Sequence, residues 1–189
     1  MRSDIPASPE GERGRAIVTV RPASATDVPF IMATERGPGF ERLVGRSEEA
    51  QHRAEIDHPG GAYLIGQSDG VPTGFAILRG FDDPFGNIYL KRIAVLEPGT
   101  GFGQRFLRAV IAWSFAHPQT HRFWLDVFLH NERARHVYRQ AGLTEDGVLR
   151  EAYRATDGTR HSQALMSILR PEWERLGLSG DRTLDRGSG

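Results

Sequence analysis

The stretch Ile88 to Arg105, IYLKRIAVLEPGTGFGQR, constrains the fold more than any other, because an apolar strand runs through a glycine-rich turn straight into a helix. Glycines at 99, 101 and 103 let a backbone approach an anion closely. The amides that open the following helix point at that anion with the positive end of the helix dipole. A phosphorylated cofactor is therefore expected at this turn, and spacing narrows which one. A dinucleotide-binding turn needs GxGxxG after the first strand of a βαβ unit, with an acid about 20 residues on. Asp126 stands 23 residues after Gly103, but the glycines read GxGxG and three strands are expected before this one. A Walker-type loop is excluded because no Gly-Lys-Ser/Thr follows. A surface turn without a ligand is the plain alternative.

A chain of 189 residues suits one domain with an ample core. Its 24 basic and 24 acidic side chains cancel, so no global field favours nucleic acid or an anionic membrane. Lys91 is the only lysine. The absence of cysteine removes disulfides, thiolate nucleophiles and cysteine-ligated metal together. The histidines show no metal-ligand spacing, so no metal is expected; His130 and His136 border the site region as partners for surface acids. The N-terminus lacks a hydrophobic signal core, and no apolar run approaches the roughly 18 to 20 residues that span a bilayer. A cytoplasmic protein is expected.

Residues 1–14 and the end of the chain from about 177 are rich in Gly, Ser, Arg, Asp and Pro and read as mobile tails around a single domain at 15–176. Ala16 to Arg21 alternates as a strand does, and Ser24 or Thr26 caps a helix running to about Arg36. A loop, Gly37 to Gly45, leads to a helix opened by Ser47 and running to about Ile56. Ala62 to Gln67 and Thr73 to Arg79 form a hairpin around Asp69-Gly70, and Asn87 to Val95 is a third strand. Phe102, Phe106, Ala109, Val110 and Trp113 mark an amphipathic helix ending near His117-Pro118. His121 to Leu129 is a central strand, Asn131 starts a helix that Gly142 ends, and Leu143 to Arg154 and Gln163 to Leu169 flank the turn Asp157-Gly158. Trp113, Trp124 and the phenylalanines read as core.

Strand, glycine turn, helix, central strand, then NERARHVYRQAGL resembles the GNAT superfamily of acyl-CoA N-acyltransferases over roughly Ile17 to Arg170. One motif is the family's Q/R-x-x-G-x-G/A pyrophosphate turn, matched by Gly101-Phe102-Gly103. The other is N-x-x-A-x-x-x-Y-x-x-x-G-F, matched by Asn131, Ala134, Tyr138 and Gly142, with Leu143 in place of Phe. The resemblance implies an α/β (α+β) fold with a mixed, mostly antiparallel central sheet of about six to seven strands. About four helices flank it, and two central parallel strands splay apart. It implies acetyl-CoA as cosubstrate, bound by the amides of Gly99, Thr100, Gly101, Phe102, Gly103 and Gln104, by Arg105, and by Ile93, Ala94 and Val95, with Asn131, Ala134 and Tyr138 along the pantetheine. Here the family's Gln or Arg falls on Pro98, which has neither that side chain nor an N–H. Arg105 is the candidate for the missing charge.

The resemblance also implies chemistry. Ile93 and Val95 would pair with the pantetheine as an added strand and polarise the thioester carbonyl. A lysine-like amine with pKa about 10.4 is nearly all protonated near neutrality, so a base is required. Enzymes of this superfamily that acetylate protein N-termini, which the chain resembles in YRATDGTR, carry an acid at the position of Asp126, 12 residues before Tyr138. Its plain alternative is a strand residue paired with an arginine, and Glu97 and Glu151 are rivals. A phenol near pKa 10 protonating a thiolate whose thiol is near 8.5 makes Tyr138 the expected acid, with a packed core aromatic as its alternative.

The acceptor pocket expected from the resemblance is built by Arg36 to Gly45, Asn87 to Lys91 and Tyr153 to His161, with Tyr89 and Tyr153 as linings. The expected function is N-acetyl transfer to a primary amine, a small molecule or a peptide N-terminus, by direct attack in a ternary complex; a homodimer is left open. An acyl-CoA-binding module that has lost catalysis and a Rossmann-like nucleotide binder are the competing readings.

Overall fold

The computed structural model describes residues 16–38, 46–155 and 157–177. The expected tails and most of the loop Gly37 to Gly45 lie outside the described residues. Strand β1 (Val18–Pro22) leads through a 3-10 turn (Ala25–Asp27) into α1 (Val28–Glu35) and α2 (Glu49–Glu55). Strands β2 (Gly61–Ser68), β3 (Val71–Arg79) and β4 (Asn87–Val95) follow, then α3 (Phe102–Phe115), β5 (Arg122–Phe128) and α4 (Glu132–Gln140). The chain continues through β6 (Thr144–Arg154), β7 (Arg160–Leu169) and α5 (Arg170–Arg175). The expected first helix is divided because Asp27 folds back onto Ser24, whose N–H donates to its carboxylate at 2.8 Å.

The seven strands form one sheet in the order β1-β2-β3-β4-β5-β7-β6. Every neighbouring pair is antiparallel except β4 and β5. One parallel pair in an otherwise antiparallel sheet excludes the Rossmann-like reading, whose βαβ units need a parallel sheet.

The sheet is covered on both faces. Leu64, Ala76, Leu78, Ile88, Phe123, Leu125 and Met166 pack against Phe106, Leu107, Val110 and Ile111 of α3. The opposite face buries Tyr63, Ile65, Phe75, Ile77 and Ala94 under Val28 and Ile31 of α1.

The fifth helix, α5, is not legible in the sequence, since its six residues hold a single apolar anchor, Trp173, too few for a period to show. Arg170 at its start donates to the carbonyls of Phe115, His117 and Thr120 and so caps the end of α3. Helix α4 ends as the sequence reading expects. Gly142 takes φ +100°, its N–H donates to Arg139 O at 3.0 Å, and Leu143 N–H donates to Tyr138 O at 3.1 Å.

Candidate active site

Strands β4 and β5 pair over only three residues, Asn87 to Tyr89 against Arg122 to Trp124. Beyond them the strands separate, leaving an open edge on β4 from Leu90 to Val95. What that edge presents follows from backbone alternation. Leu96 N–H donates to Thr73 O on β3 at 2.8 Å, so Ala94 also turns its backbone to β3, and the N–H and C=O groups of Ile93 and Val95 face the gap.

A bulge sets this phase. Ile77 faces Arg92 and Leu78 faces Leu90, which leaves Lys91 unopposed. Lys91 and Arg92 consequently lie on the same face, where Lys91 Nζ meets Glu55 of α2 at 3.1 Å and Arg92 meets Glu35 of α1 at 2.5 Å. Glu35 is fully buried and also accepts from Arg36 at 2.9 Å and from Ser47 N–H at 3.1 Å.

The glycine turn lies at the end of β4. Gly101 caps α3 in the left-handed region at φ +79°, and no atom stands within 4 Å of where its side chain would begin. The open side of the turn is therefore backbone. Gly103 and Gln104, in the first turn of α3, have amides with no intrahelical acceptor. Phe102 has its ring buried and stacked on Phe106, and its N–H donates to Thr100 Oγ1 at 3.5 Å. Arg105 does not reach the turn as expected; it donates to Ala16 O at 2.5 Å, on the far side of its helix turn. Ala94 likewise has its side chain in the core under α1.

Helix α4 follows β5 in the chain and packs on α3. Asn131 accepts from Ala134 N–H at 3.1 Å, so the helix is capped, and Ala134 and Tyr138 are partly buried against the α3 core. Burial pushes the Tyr138 phenol up to about 12, and the negative charge of Asp126 adds to the effect. The two expected catalytic groups thus share one electrostatic environment.

Asp126 lies on the face of β5 opposite α3, alternating with Leu125 and Val127, which are core. Tyr89 donates to its Oδ1 at 2.6 Å and Gln163 donates to its Oδ2. The expected alternative, pairing with an arginine, does not occur among the described residues. Nearby cations are engaged elsewhere: Arg79 and Lys91 with Glu55, Arg92 with Glu35, Arg122 with Asp146. Tyr89 is held well above the usual phenol range, first by burial and then by the hydrogen bond and charge of Asp126.

Tyr89 also stacks on Trp124, ring centres 4.4 Å apart. Trp124 is therefore not core as expected; alternation along β5 turns it outward, and with Tyr89, Arg79, Arg122, Leu149 and Leu165 it lines a cleft of about 580 Å³. Phe85 is not core either, being 80% exposed. Tyr153 lies away from Tyr89, in an aromatic cluster with Phe128, His130 and His161. Glu151 is exposed on the edge strand β6 and Glu97 is exposed beside the glycine turn. Among the described residues no cluster of metal-ligating side chains occurs, and no helix is long and apolar enough to cross a membrane.

Solved structures with this fold include spermidine N-acetyltransferase from Vibrio cholerae in complex with CoA and spermine. It is 20% identical, covers 83% of this chain and 98% of its own, and superposes with a TM-score of 0.73. A chimera of that enzyme with hSSAT gives 0.74 at 19% identity, covering 83% and 98%. A dodecameric form of the Vibrio cholerae enzyme gives 0.69 at 20%, covering 82% and 95%. The model of the acetyltransferase (GNAT) family matches residues 31–143, well over half of the chain, and the protein belongs to that family.

Proposed function

We propose that the protein transfers the acetyl group of acetyl-CoA to a primary amine by direct attack in a ternary complex. The observation that carries this reading is the gap between β4 and β5. Free backbone groups of Ile93 and Val95 line its β4 side, the glycine turn lies at its end, and Asp126 of β5, without a cationic partner among the described residues, is near enough to Tyr138 to raise its phenol. The pyrophosphate of CoA would meet the amides from Gly99 to Gln104, and the pantetheine would run along Ile93 and Val95 as an added strand.

In this scheme Asp126 attracts the acceptor ammonium and takes its proton, directly or through a water. The amine nitrogen then bonds to the thioester carbon, and charge moves to the carbonyl oxygen facing the β4 amides. When the carbon–sulfur bond breaks, Tyr138 gives its proton to the departing thiolate, and the excess proton still on the amide nitrogen passes to the Tyr138 oxygen, so that the product is a neutral amide and the phenol is restored. With the phenol at about 12 and a free thiol near 8.5, the transfer to sulfur is uphill by ~5 kcal/mol, more than the sequence suggests. A thiolate forming in the same desolvated gap has its own proton affinity raised, which narrows the difference.

The acceptor enters over the Tyr89–Trp124 stack. Asp83 is the acid lining this cleft, and Asn87 and Phe85 already satisfy it. A chain of ammonium groups finds few acids here, so the cleft favours an amine with an apolar body, including a peptide N-terminus.

Release of CoA thiol from acetyl-CoA across polyamines, arylalkylamines and short peptides tests the proposal. Turnover with at least one amine is expected. Acetyl-CoA binding without turnover on any acceptor would favour a module that has lost catalysis.

A further inference from the structure

Pro98 leaves the glycine turn without the Gln or Arg side chain that its family motif places there, and Arg105, the expected source of charge, is bound to Ala16 O. We infer that Arg133, on α4, supplies that charge and binds the pyrophosphate of the cosubstrate at the turn. The inference rests on the CoA reading above.

Three observations converge on this residue. A Cβ built on Gly99 would lie 3.6 Å from Arg133 Nη2 and within 4 Å of nothing else, so the guanidinium stands directly over the turn. Arg133 is exposed and has no ion pair or hydrogen bond among the described residues. Its neighbours on the same helix are committed: Arg135 to Glu132 and Glu145, and Asn131 to the cap. Finally, Arg133 occupies the first turn of α4, where a cation opposes the helix dipole. Local rules broken without a structural return mark functional positions.

The arrangement has a physical consequence. The turn offers backbone dipoles only, and Glu97 beside it repels an anion. A guanidinium reaching in from α4 adds a charge-assisted, two-pronged contact and ties the turn and α4 to one ligand. Cosubstrate binding then also fixes α4, and with it Tyr138.

The test is calorimetric titration of wild type, Arg133→Gln and Arg133→Lys with CoA, dephospho-CoA and pantetheine. Arg133→Gln is expected to weaken CoA and dephospho-CoA about 10- to 100-fold and to leave pantetheine unchanged, with partial recovery in Arg133→Lys. The dependence of CoA affinity on salt falls in parallel. Equal CoA affinity in wild type and Arg133→Gln overturns the inference while leaving the acetyl-CoA reading intact. So does an equal loss for pantetheine, which marks a structural role. A loss for CoA but not dephospho-CoA moves the contact to the 3′-phosphate and overturns the pyrophosphate assignment. Wild type that does not bind CoA removes the functional reading and this inference with it.

Discussion

Tyr89 of β4 reaches past the last backbone pair between β4 and β5 and donates its hydroxyl to Asp126 of β5 at 2.6 Å. The contact joins the two strands by side chains at the point where their backbones part. It also fixes the orientation of the carboxylate proposed as base, with Gln163 holding its second oxygen. Removing the charge should therefore cost more than removing the support. Asp126→Asn is expected to lower kcat/KM by about 10²-fold or more, and Tyr89→Phe by a smaller factor. Thiol-release kinetics with the preferred amine check this, and an Asp126→Asn enzyme as fast as wild type would remove Asp126 from the chemistry.

Tyr138→Phe deletes the proposed acid while keeping the ring that packs on the α3 core. The expected outcome is a fall in kcat of about 10²-fold or more with a near-unchanged melting temperature. Because the phenol holds its proton until about pH 12, its ionisation contributes no alkaline loss of activity between pH 7 and 10. A pH profile of kcat shows whether that window is free of a Tyr138 limb.

Glu35 and Arg92 form a buried ion pair that locks α1 to the β4 bulge. Replacing Glu35 strands Arg92 in the interior, so Glu35→Ala is expected to cost about 3–5 kcal/mol in denaturant unfolding, while Arg92→Met, which leaves Glu35 its contact with Arg36, should cost less. Replacing both should cost less than the sum. Additive losses would show that the two side chains are not coupled.

Acid stability depends on Glu55. Burial pushes its carboxyl up, but hydrogen bonds from Gln51 and Lys91 and the charges of Lys91 and Arg79 outweigh burial and hold it at about 2, below the usual 4.5. A depressed carboxylate stabilises the fold above its unfolded value, so this contribution is complete above about pH 4.5 and is lost as pH falls toward 2. Melting temperatures of Glu55→Gln should accordingly fall less steeply than wild type across that window. Parallel curves would show that the ion cluster carries no pH-dependent stability.

The motifs were legible because local chemistry writes them. Gly142 is demanded by a left-handed helix end and Asn131 by an open helix start, while the glycines at 99, 101 and 103 form a turn with backbone exposed. Alternation along β5 was legible too, but which side would be core was not. The single rule that aromatic means buried misplaced Trp124, which depends on where α3 lies.

The sequence by itself determined the order of strands and helices as far as β7, the glycine turn and the α4 block, since each depends on neighbours a few residues apart. Only the tertiary structure decided which backbone groups of β4 are free, because the unopposed Lys91 sets their phase through pairing with β3. It also decided that Asp126 has no cationic partner among the described residues and that Arg133 stands over Gly99. Those relationships join strands and helices far apart in the chain, and no local pattern encodes them.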